Sequence, residues 1–346
     1  TRSNLFSWRG QFSPQLVEIL IRNYGVSGMK ILDPFVGSGT VLIEGARFGV
    51  ESHGCEINPA AFSLSKVYEL SNITKDKRKE YLSKIDDFIK VNSPKVVDGT
   101  DQENQEFLDL LVNLYEKQKN ANQKKIIQAL IIGLDIGNTK LTKVNLDKAW
   151  KILKRNIIDI PYSKKMIQCY LCDARNTPFK ENSIDFVITS PPYINVFNYH
   201  QNYRGSSEVL GYDILDIAKS EIGSNRKNRS NRFLTVTQYC MDMAQVILEL
   251  DRVCKLNSKI IFIVGRESNI RKTPFKNANL LKKVFEGLSF DFEGSQERVF
   301  LNKFGKSIYE EILRFSNTRK NLLTFEESIE MAKKIGTEIA KRSIEK

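Results

Sequence analysis

Short apolar runs closed by an acid mark strands before Val67 and again after Met166, and the hundred residues between carry almost no strand signal. Met29-Lys30-Ile31-Leu32-Asp33 is too short for a helix and reads as a buried strand. Ahead of it, residues 13–25 (SPQLVEILIRNYG) predict a helix. Ser13 stands at the N-cap, Pro14 in the first turn, where its missing N–H costs nothing, and Gly25 where a C-terminal cap belongs. After the run, 39–48 predict a second helix and 51–56 (ESHGCE) a second strand with Glu56 at its tip. Strand, glycine turn, helix, strand is the opening of a doubly wound α/β sheet.

From Val67 to Met166 the spacing of apolar residues is helical, with helices expected at 76–90, 105–118, 122–134 and 144–156. Residues 93–105 (SPKVVDGTDQENQ) are polar and turn-rich, and read as an exposed loop. The α/β pattern resumes with strands at 167–173 (IQCYLCD) and 184–189 (IDFVIT), a helix at 237–256 and the apolar strand 259–265. Segments 297–304 and 308–315, separated by Gly305-Lys306, predict a closing antiparallel hairpin. Thr324 and Glu327 form a capping box ahead of Ile329, Ala332, Ile335 and Ile339, the stripe of an amphipathic helix. The pattern therefore divides into a discontinuous α/β domain (1–66 and 167–322), an inserted α-helical subdomain (67–166) and a C-terminal helix (323–346).

Composition narrows the classes. With 41% apolar residues in 346, the chain can bury a sizeable core. No stretch reaches the roughly 18 apolar residues of a membrane span, and no signal peptide is visible. Five cysteines make no disulfide framework, which points to a reducing compartment. The net charge of +12 favours a polyanionic partner. With two histidines only, His53 and His200, neither a His-rich metal site nor a Ser-His-Asp triad is expected.

Two constellations carry chemistry. The first is Asp33-Pro34-Phe35-Val36-Gly37-Ser38-Gly39-Thr40, a glycine turn feeding a helix whose N-terminal N–H groups are unpaired. Glu56 follows Asp33 by 23 residues, at the tip of the next strand, where a carboxylate accepts both hydroxyls of a ribose. A dinucleotide site would use Gly-x-Gly-x-x-Gly around a pyrophosphate. Here an acid precedes the turn, which suits an ammonium group and no phosphate, and points to S-adenosyl-L-methionine. The second is Thr189-Ser190-Pro191-Pro192-Tyr193 at a strand end. Two prolines fix the backbone and aim the Ser190 side chain and the Pro191 carbonyl at one point, with the Tyr193 ring beside them. Such acceptors and a flat surface suit methyl transfer to an exocyclic amino group of a base.

DPFVGSGT, then Glu56-Ile57-Asn58-Pro59, then TSPPY resembles the amino-group DNA methyltransferases, the cytosine-N4 and adenine-N6 modification enzymes, in their SPPY branch. Residues 8–14 (WRGQFSP) are similar to the family's N-terminal motif, Asp173 lies where the family places the acid for the cofactor's adenine, and 193–204 (YINVFNYHQNYR) is similar to the segment after the catalytic motif. Tyr309 to Leu313 looks like the closing hairpin. The likeness covers about 1–66 and 167–316, and the helical block between the second and third cofactor motifs departs from the usual layout.

The resemblance implies an α/β Rossmann-like class I SAM-dependent methyltransferase sheet. It implies Phe12, Pro14, Asp33, Pro34, Phe35, Gly37, Ser38, Gly39, Thr40, Glu56, Ile57, Asp173 and Ala174 at the cofactor, and Ser190, Pro191, Pro192 and Tyr193 at the reacting base. It implies direct displacement on a base flipped out of duplex DNA, with no nucleophilic cysteine and no metal. Serine before Pro-Pro-Tyr favours cytosine N4 over adenine N6. RNA guanine N2-methylation and an inactive recognition subunit remain alternatives. It further implies a restriction-modification setting in the prokaryotic cytoplasm, with a cognate endonuclease or fused domain as partner. For DNA contact the expected residues are Asn195, Arg204 and the basic stretch with Arg226, Lys227, Arg229 and Arg232. The segment from Ser71 to Lys165 carries 19 basic and 13 acidic residues, which by itself does not decide whether it touches DNA. Cys169 and Cys172, a lone C-x-x-C on a predicted strand, read as structural thiols.

Overall fold

The computed structural model describes residues 4–8, 10–93, 100–194, 198–223, 232–302, 305–318 and 321–344. Its strands are β1 (Lys30–Asp33), β2 (Glu51–Glu56), β3 (Ile167–Leu171), β4 (Ile184–Thr189), β5 (Cys254–Gly265), β6 (Glu267–Ile270), β7 (Thr273–Lys276), β8 (Asp291–Leu301) and β9 (Ser307–Ser316). Its helices are α1 (Pro14–Tyr24), α2 (Thr40–Phe48), α3 (Pro59–Ser65), α4 (Lys75–Asn92), α5 (Asp101–Lys117), α6 (Ala121–Gly133), α7 (Lys143–Asp159), α8 (Arg204–Val209), α9 (Ile214–Ser220), α10 (Leu234–Val253), α11 (Asn277–Gly287) and α12 (Phe325–Ile344). A seven-stranded mixed sheet has the order β3-β2-β1-β4-β5-β9-β8, the doubly wound Rossmann-like order with an antiparallel hairpin at one edge. By compactness the chain divides into two units.

The first unit holds residues 1–19, 36–171 and 199–217. Strands β2 and β3 pair in parallel, Gly54 opposite Cys169. Each helix of the central block starts on a side-chain cap. Thr74 accepts from Lys77 N–H, Thr100 and Glu103 make a reciprocal capping box, Asn120 accepts from Asn122 and Gln123, and Thr142 accepts from Asn145. That capping box corrects the expected loop at 93–105: α5 begins at Asp101, because an Asp-Gln-Glu-Asn run that looks loop-like in composition is a capped first turn. The central block does not have a core of its own. Leu82, Ile85, Phe107, Leu111, Ile127, Leu130, Trp150 and Leu153 belong to one apolar cluster with Val36, Leu42, Ala60 and Tyr68. Arg78, 2% exposed, donates to the carbonyls of Ile157 and Ile160, so a buried cation closes the C-terminal end of α7.

The second unit holds residues 20–35, 172–198 and 218–346. Strands β1, β4 and β5 run parallel, while β9 and β8 are antiparallel additions. Phe285 stacks on Phe315 at 3.9 Å and meets Phe262 edge-on at 5.1 Å beneath them. The C-terminal helix packs on this body. Gly336 of α12 lies so near α10 that a Cβ there would fall 2.7 Å from the Thr237 Cα, and the Thr324–Glu327 capping box is formed.

Boundaries shift where packing overrides local signal. The strand expected over 167–173 ends at Leu171, so Cys172 lies beyond it. The helix expected over 237–256 is Leu234–Val253, and β5 begins at Cys254, ahead of the exposed Lys255-Leu256-Asn257. The hairpin's first arm begins at Asp291, six residues before the expected start at 297, because its pairing with β9 tolerates a register shift between Phe292 and Gly294. Gly25 ends α1 by close approach: a Cβ would sit 2.4 Å from the Ile21 carbonyl oxygen. Helices α3, α8, α9 and α11 and the β6–β7 hairpin are additions that the sequence pattern does not mark.

Candidate active site

In the first unit, the turn from Val36 to Thr40 is laced on three sides. Gly37, at φ 51°, donates its N–H to Glu56 Oε2 at 2.9 Å, and Asn58 N–H donates to Glu56 Oε1 at 2.8 Å. One carboxylate thus fixes the turn and the start of α3, whose N-cap is the Asn58 side chain. Gly39 has φ 91°, and a Cβ there would fall 2.5 Å from the Tyr68 ring. Both glycines of the motif are therefore required, for backbone conformation and for clearance. Val36 N–H donates to Cys55 O, and a Cβ at Gly54 would meet Val36 at 2.6 Å.

The N-terminal segment binds the same turn. Gln11 donates to the Ser38 hydroxyl, Thr40 donates to Asn4 Oδ1 at 3.0 Å, and Asn4 donates to the carbonyl of Phe12 at 2.8 Å. Phe12 is half-buried and Pro14 buried at the head of α1. Trp8 lies near-parallel to Tyr199 at 6.5 Å and to Tyr203 at 6.2 Å, and the Tyr203 hydroxyl donates to Ser7 O. Asn58 donates to the Tyr199 carbonyl at 3.2 Å, which ties the segment after the Pro-Pro-Tyr motif to the tip of β2. Ile57 is half-buried beside it.

In the second unit, Asp33 is 1% exposed and its Oδ1 accepts from Phe35 N–H at 3.0 Å and from the Thr189 hydroxyl at 2.6 Å. The ends of the parallel strands β1 and β4 are thereby joined, with Pro34 buried and Phe35 half-buried. Asp173 is bidentate with Arg175, Nη2 to Oδ2 at 2.6 Å and Nε to Oδ1 at 3.0 Å, and Arg175 also reaches Asp242 and the Ser220 carbonyl. Burial opposes the charge on Arg175, but the two carboxylates outweigh it and hold its pKa above the usual value. Ala174 is buried.

Ser190 Oγ lies 3.4 Å from the Tyr193 hydroxyl. Pro191 is buried, and Ser190, Pro192 and Tyr193 are half-buried. The Tyr193 ring rests on Gly265 at the end of β5, where a Cβ would lie 3.2 Å from Cε2. Burial raises the pKa of Tyr193, with Glu310 adding to the rise while Ser190 and the Gly265 backbone oppose it. The phenol therefore stays protonated at neutral pH.

Of the residues expected at DNA, Arg204 opens α8 and pairs with Glu208 at 2.7 Å, and Arg232 is exposed. Asn195, Arg226, Lys227 and Arg229 lie outside the described residues. Cys169 is buried with its Sγ 3.0 Å from Ser65 Oγ, and burial pushes its thiol well above the ordinary range. Sequence reasoning missed Gly54, Thr189 as the partner of Asp33, Arg175 and the Trp8 stack with Tyr199 and Tyr203. Only Arg175, an arginine two residues past a strand-end acid, left a local signal.

A family model described as RMKL-like, methyltransferase domain (UPF0020) matches residues 6–205, more than half of the chain. The chain belongs to this methyltransferase family. Among curated proteins it is 24% identical over 191 residues to the Type II methyltransferase M.MjaII of Methanocaldococcus jannaschii, covering 54% of this chain and 31% of that protein. It is 24% identical over 289 residues to the Type II methyltransferase M.BsoBI of Geobacillus stearothermophilus, covering 66% of this chain and 57% of that protein. A 37-residue stretch is 51% identical to the Type II methyltransferase M.MvaI of Kocuria varians, 11% of this chain and 8% of that protein. The chain spans between about a third and just over half of the two longer-matching relatives. No described helix is long and apolar enough to cross a membrane.

Proposed function

We propose that this methyltransferase transfers a methyl group from S-adenosyl-L-methionine to an exocyclic amino group in double-stranded DNA, with cytosine N4 as the target. The observation that carries this reading is the Ser190–Tyr193 segment. A hydroxyl acceptor and a ring seated on Gly265 are held at the end of β4 by a double proline. The Type II relatives support DNA as the substrate.

The cofactor's chemistry is a sulfonium-bound methyl group open to in-line attack. The residues suit it. Glu56 is held at the tip of β2 by the Gly37 and Asn58 N–H groups, where a carboxylate serves as the acceptor for ribose hydroxyls. The glycine turn presents backbone without side chains. The acceptors at Ser190 and Pro191 draw electron density onto the attacking nitrogen, and the Tyr193 ring stacks the flipped base.

The helical block 67–166 serves in this reading as support for the cofactor turn, since the two share one apolar cluster. Many of its lysines are occupied by acids: Lys77 and Lys84 with Glu80, Lys90 and Lys154 with Asp86, and Lys125 with Glu69. DNA contact falls in this reading to Arg232 and the basic stretch before α10, and to Arg204 once it exchanges Glu208 for a phosphate, and a cognate restriction endonuclease is the expected partner.

The test is transfer of a labelled methyl group to duplex DNA, tRNA and protein in parallel, followed by nucleoside mass spectrometry. N4-methylcytosine in DNA is the expected product. N6-methyladenine would keep the site and change its base, whereas label in tRNA guanine alone would overturn the DNA reading.

A further inference from the structure

Gly265 on β5 and Glu310 on β9 are directly opposed, as are Glu310 and Arg298 on β8. Opposed residues in antiparallel pairs project to the same face. The missing Cβ of Gly265 marks where the Tyr193 ring sits, 3.2 Å from Cε2 and 3.6 Å from Cζ. Tyr193, Glu310 and Arg298 therefore form a row on one face of the sheet. Arg298 Nη1 donates to Glu310 Oε2 at 2.8 Å, and the Glu310 side chain is only 18% exposed. On the opposite face Arg266 covers the Tyr309 ring at 4.6 Å and pairs with Glu297 at 2.9 Å, so those charges do not reach the row. Among the described residues, the groups that bear on Glu310 are Arg298 from β8 and Tyr193 from the loop after β4, while the β5 residue opposite is a glycine.

Glu310 thus stands across from the glycine on which the Tyr193 ring rests, largely withdrawn from water, with its charge compensated by Arg298. Ser190 and Tyr193 present two hydroxyls 3.4 Å apart, and either can donate to the other. We propose that Glu310 is a positioning residue for the Ser190–Tyr193 site, a role that rests on the methyl-transfer reading above: its carboxylate draws the Tyr193 O–H toward itself, so that Ser190 donates to the Tyr193 oxygen and turns its lone pairs to the substrate's amino group. The Arg298 ion pair holds that carboxylate in place. Ser190 then accepts from the amino N–H at every encounter, instead of in the fraction of encounters in which its proton happens to point away.

Steady-state methylation of duplex DNA by the whole chain tests this with Glu310→Gln, Tyr193→Phe and the double variant, alongside cofactor affinity and thermal melting. Glu310→Gln is expected to lower kcat about tenfold with cofactor affinity and melting unchanged, and to cost less than about twofold once Tyr193 is Phe. In the wild type, kcat falls on the acid side as Glu310 takes up a proton. Glu310→Gln removes that limb. Arg298→Gln moves it to higher pH, because the guanidinium otherwise holds the Glu310 pKa down. Equal losses in both Tyr193 backgrounds, or an unchanged kcat in Glu310→Gln, overturn the proposal while wild-type transfer upholds the methyl-transfer reading. Absence of transfer by the wild type overturns both.

Discussion

The turn from Val36 to Thr40 and the Ser190–Tyr193 segment each follow a strand, yet they are held by different means. The turn is fixed by polar contacts from residues 19 to 36 positions away. One carboxylate collects two backbone N–H groups, and Asn4 and Gln11 fasten its hydroxyls. The acceptor segment is fixed by neighbours far away in sequence. Its ring needs a glycine at 265, and its hydroxyl feels an acid at 310. A site that binds a ligand the same way every time is built of backbone and glycine. In the proposed reading, the segment that aims one lone pair leans on sheet register.

Damage to the acceptor segment should be the most severe and the most selective. Tyr193→Ala removes the stacking surface, worth roughly 1–3 kcal/mol per base, and adds a loss from poorer geometry, so turnover should drop about 100-fold. Calorimetry with S-adenosyl-L-methionine should show unchanged affinity. Near-normal turnover in Tyr193→Ala would remove the acceptor half of the comparison altogether.

Next in size is Glu56→Ala. It deprives a ribose of its acceptor and leaves the Gly37 and Asn58 N–H groups unpaired, at about 1.5–3 kcal/mol, or roughly 10- to 150-fold in cofactor affinity. Here kcat at saturating cofactor should hold, the reverse of the Tyr193 result. An affinity equal to wild type would detach Glu56 from the cofactor.

Gly39→Ala and Gly54→Ala test the backbone side. Each puts a Cβ within 2.6 Å of a neighbour, Tyr68 for the first and Val36 for the second, and the first also strains a positive φ. Overpacking of this kind costs about 1–3 kcal/mol, a melting temperature lower by a few degrees in a chain of this length. Thermal melting that does not move would show that the turn relaxes freely.

The smallest expected effect is electrostatic. Replacing Arg226, Lys227, Arg229 and Arg232 together by Ala should flatten the salt dependence of DNA binding by about 0.9 in log–log slope for each phosphate that is no longer neutralised. Turnover at saturating DNA should stay within about twofold. An unchanged slope places the DNA backbone elsewhere.

Much of this is legible along the chain. Helix α1, strands β1, β2 and β4, the four central helices and the capped tail come from signals a few residues wide: apolar period, caps, glycines. The glycine turn and the Pro-Pro-Tyr segment are visible for the same reason, since each is a local backbone demand. What escapes is contact at long separation. Thr189 binds Asp33 from 156 residues away, and Arg78 reaches Ile160 from 82. The stretch 93–105 misleads because Asp, Asn and Gln serve loops and first helical turns alike, and only the closed capping box tells them apart.

The sequence by itself determined the opening α1, β1, α2 and β2, the four central helices, the turn at Gly37 and Gly39 and the residue types from Ser190 to Tyr193, because steric and capping preferences act within one turn of backbone. Tertiary structure alone decided that the central helices share a core with the turn, and that Gly265, Glu310 and Arg298 come into line on the face that carries Tyr193. Register between β5, β9 and β8 makes that line. A slip of one residue would turn Glu310 to the other face, and nothing in the local sequence around Tyr193 encodes against it.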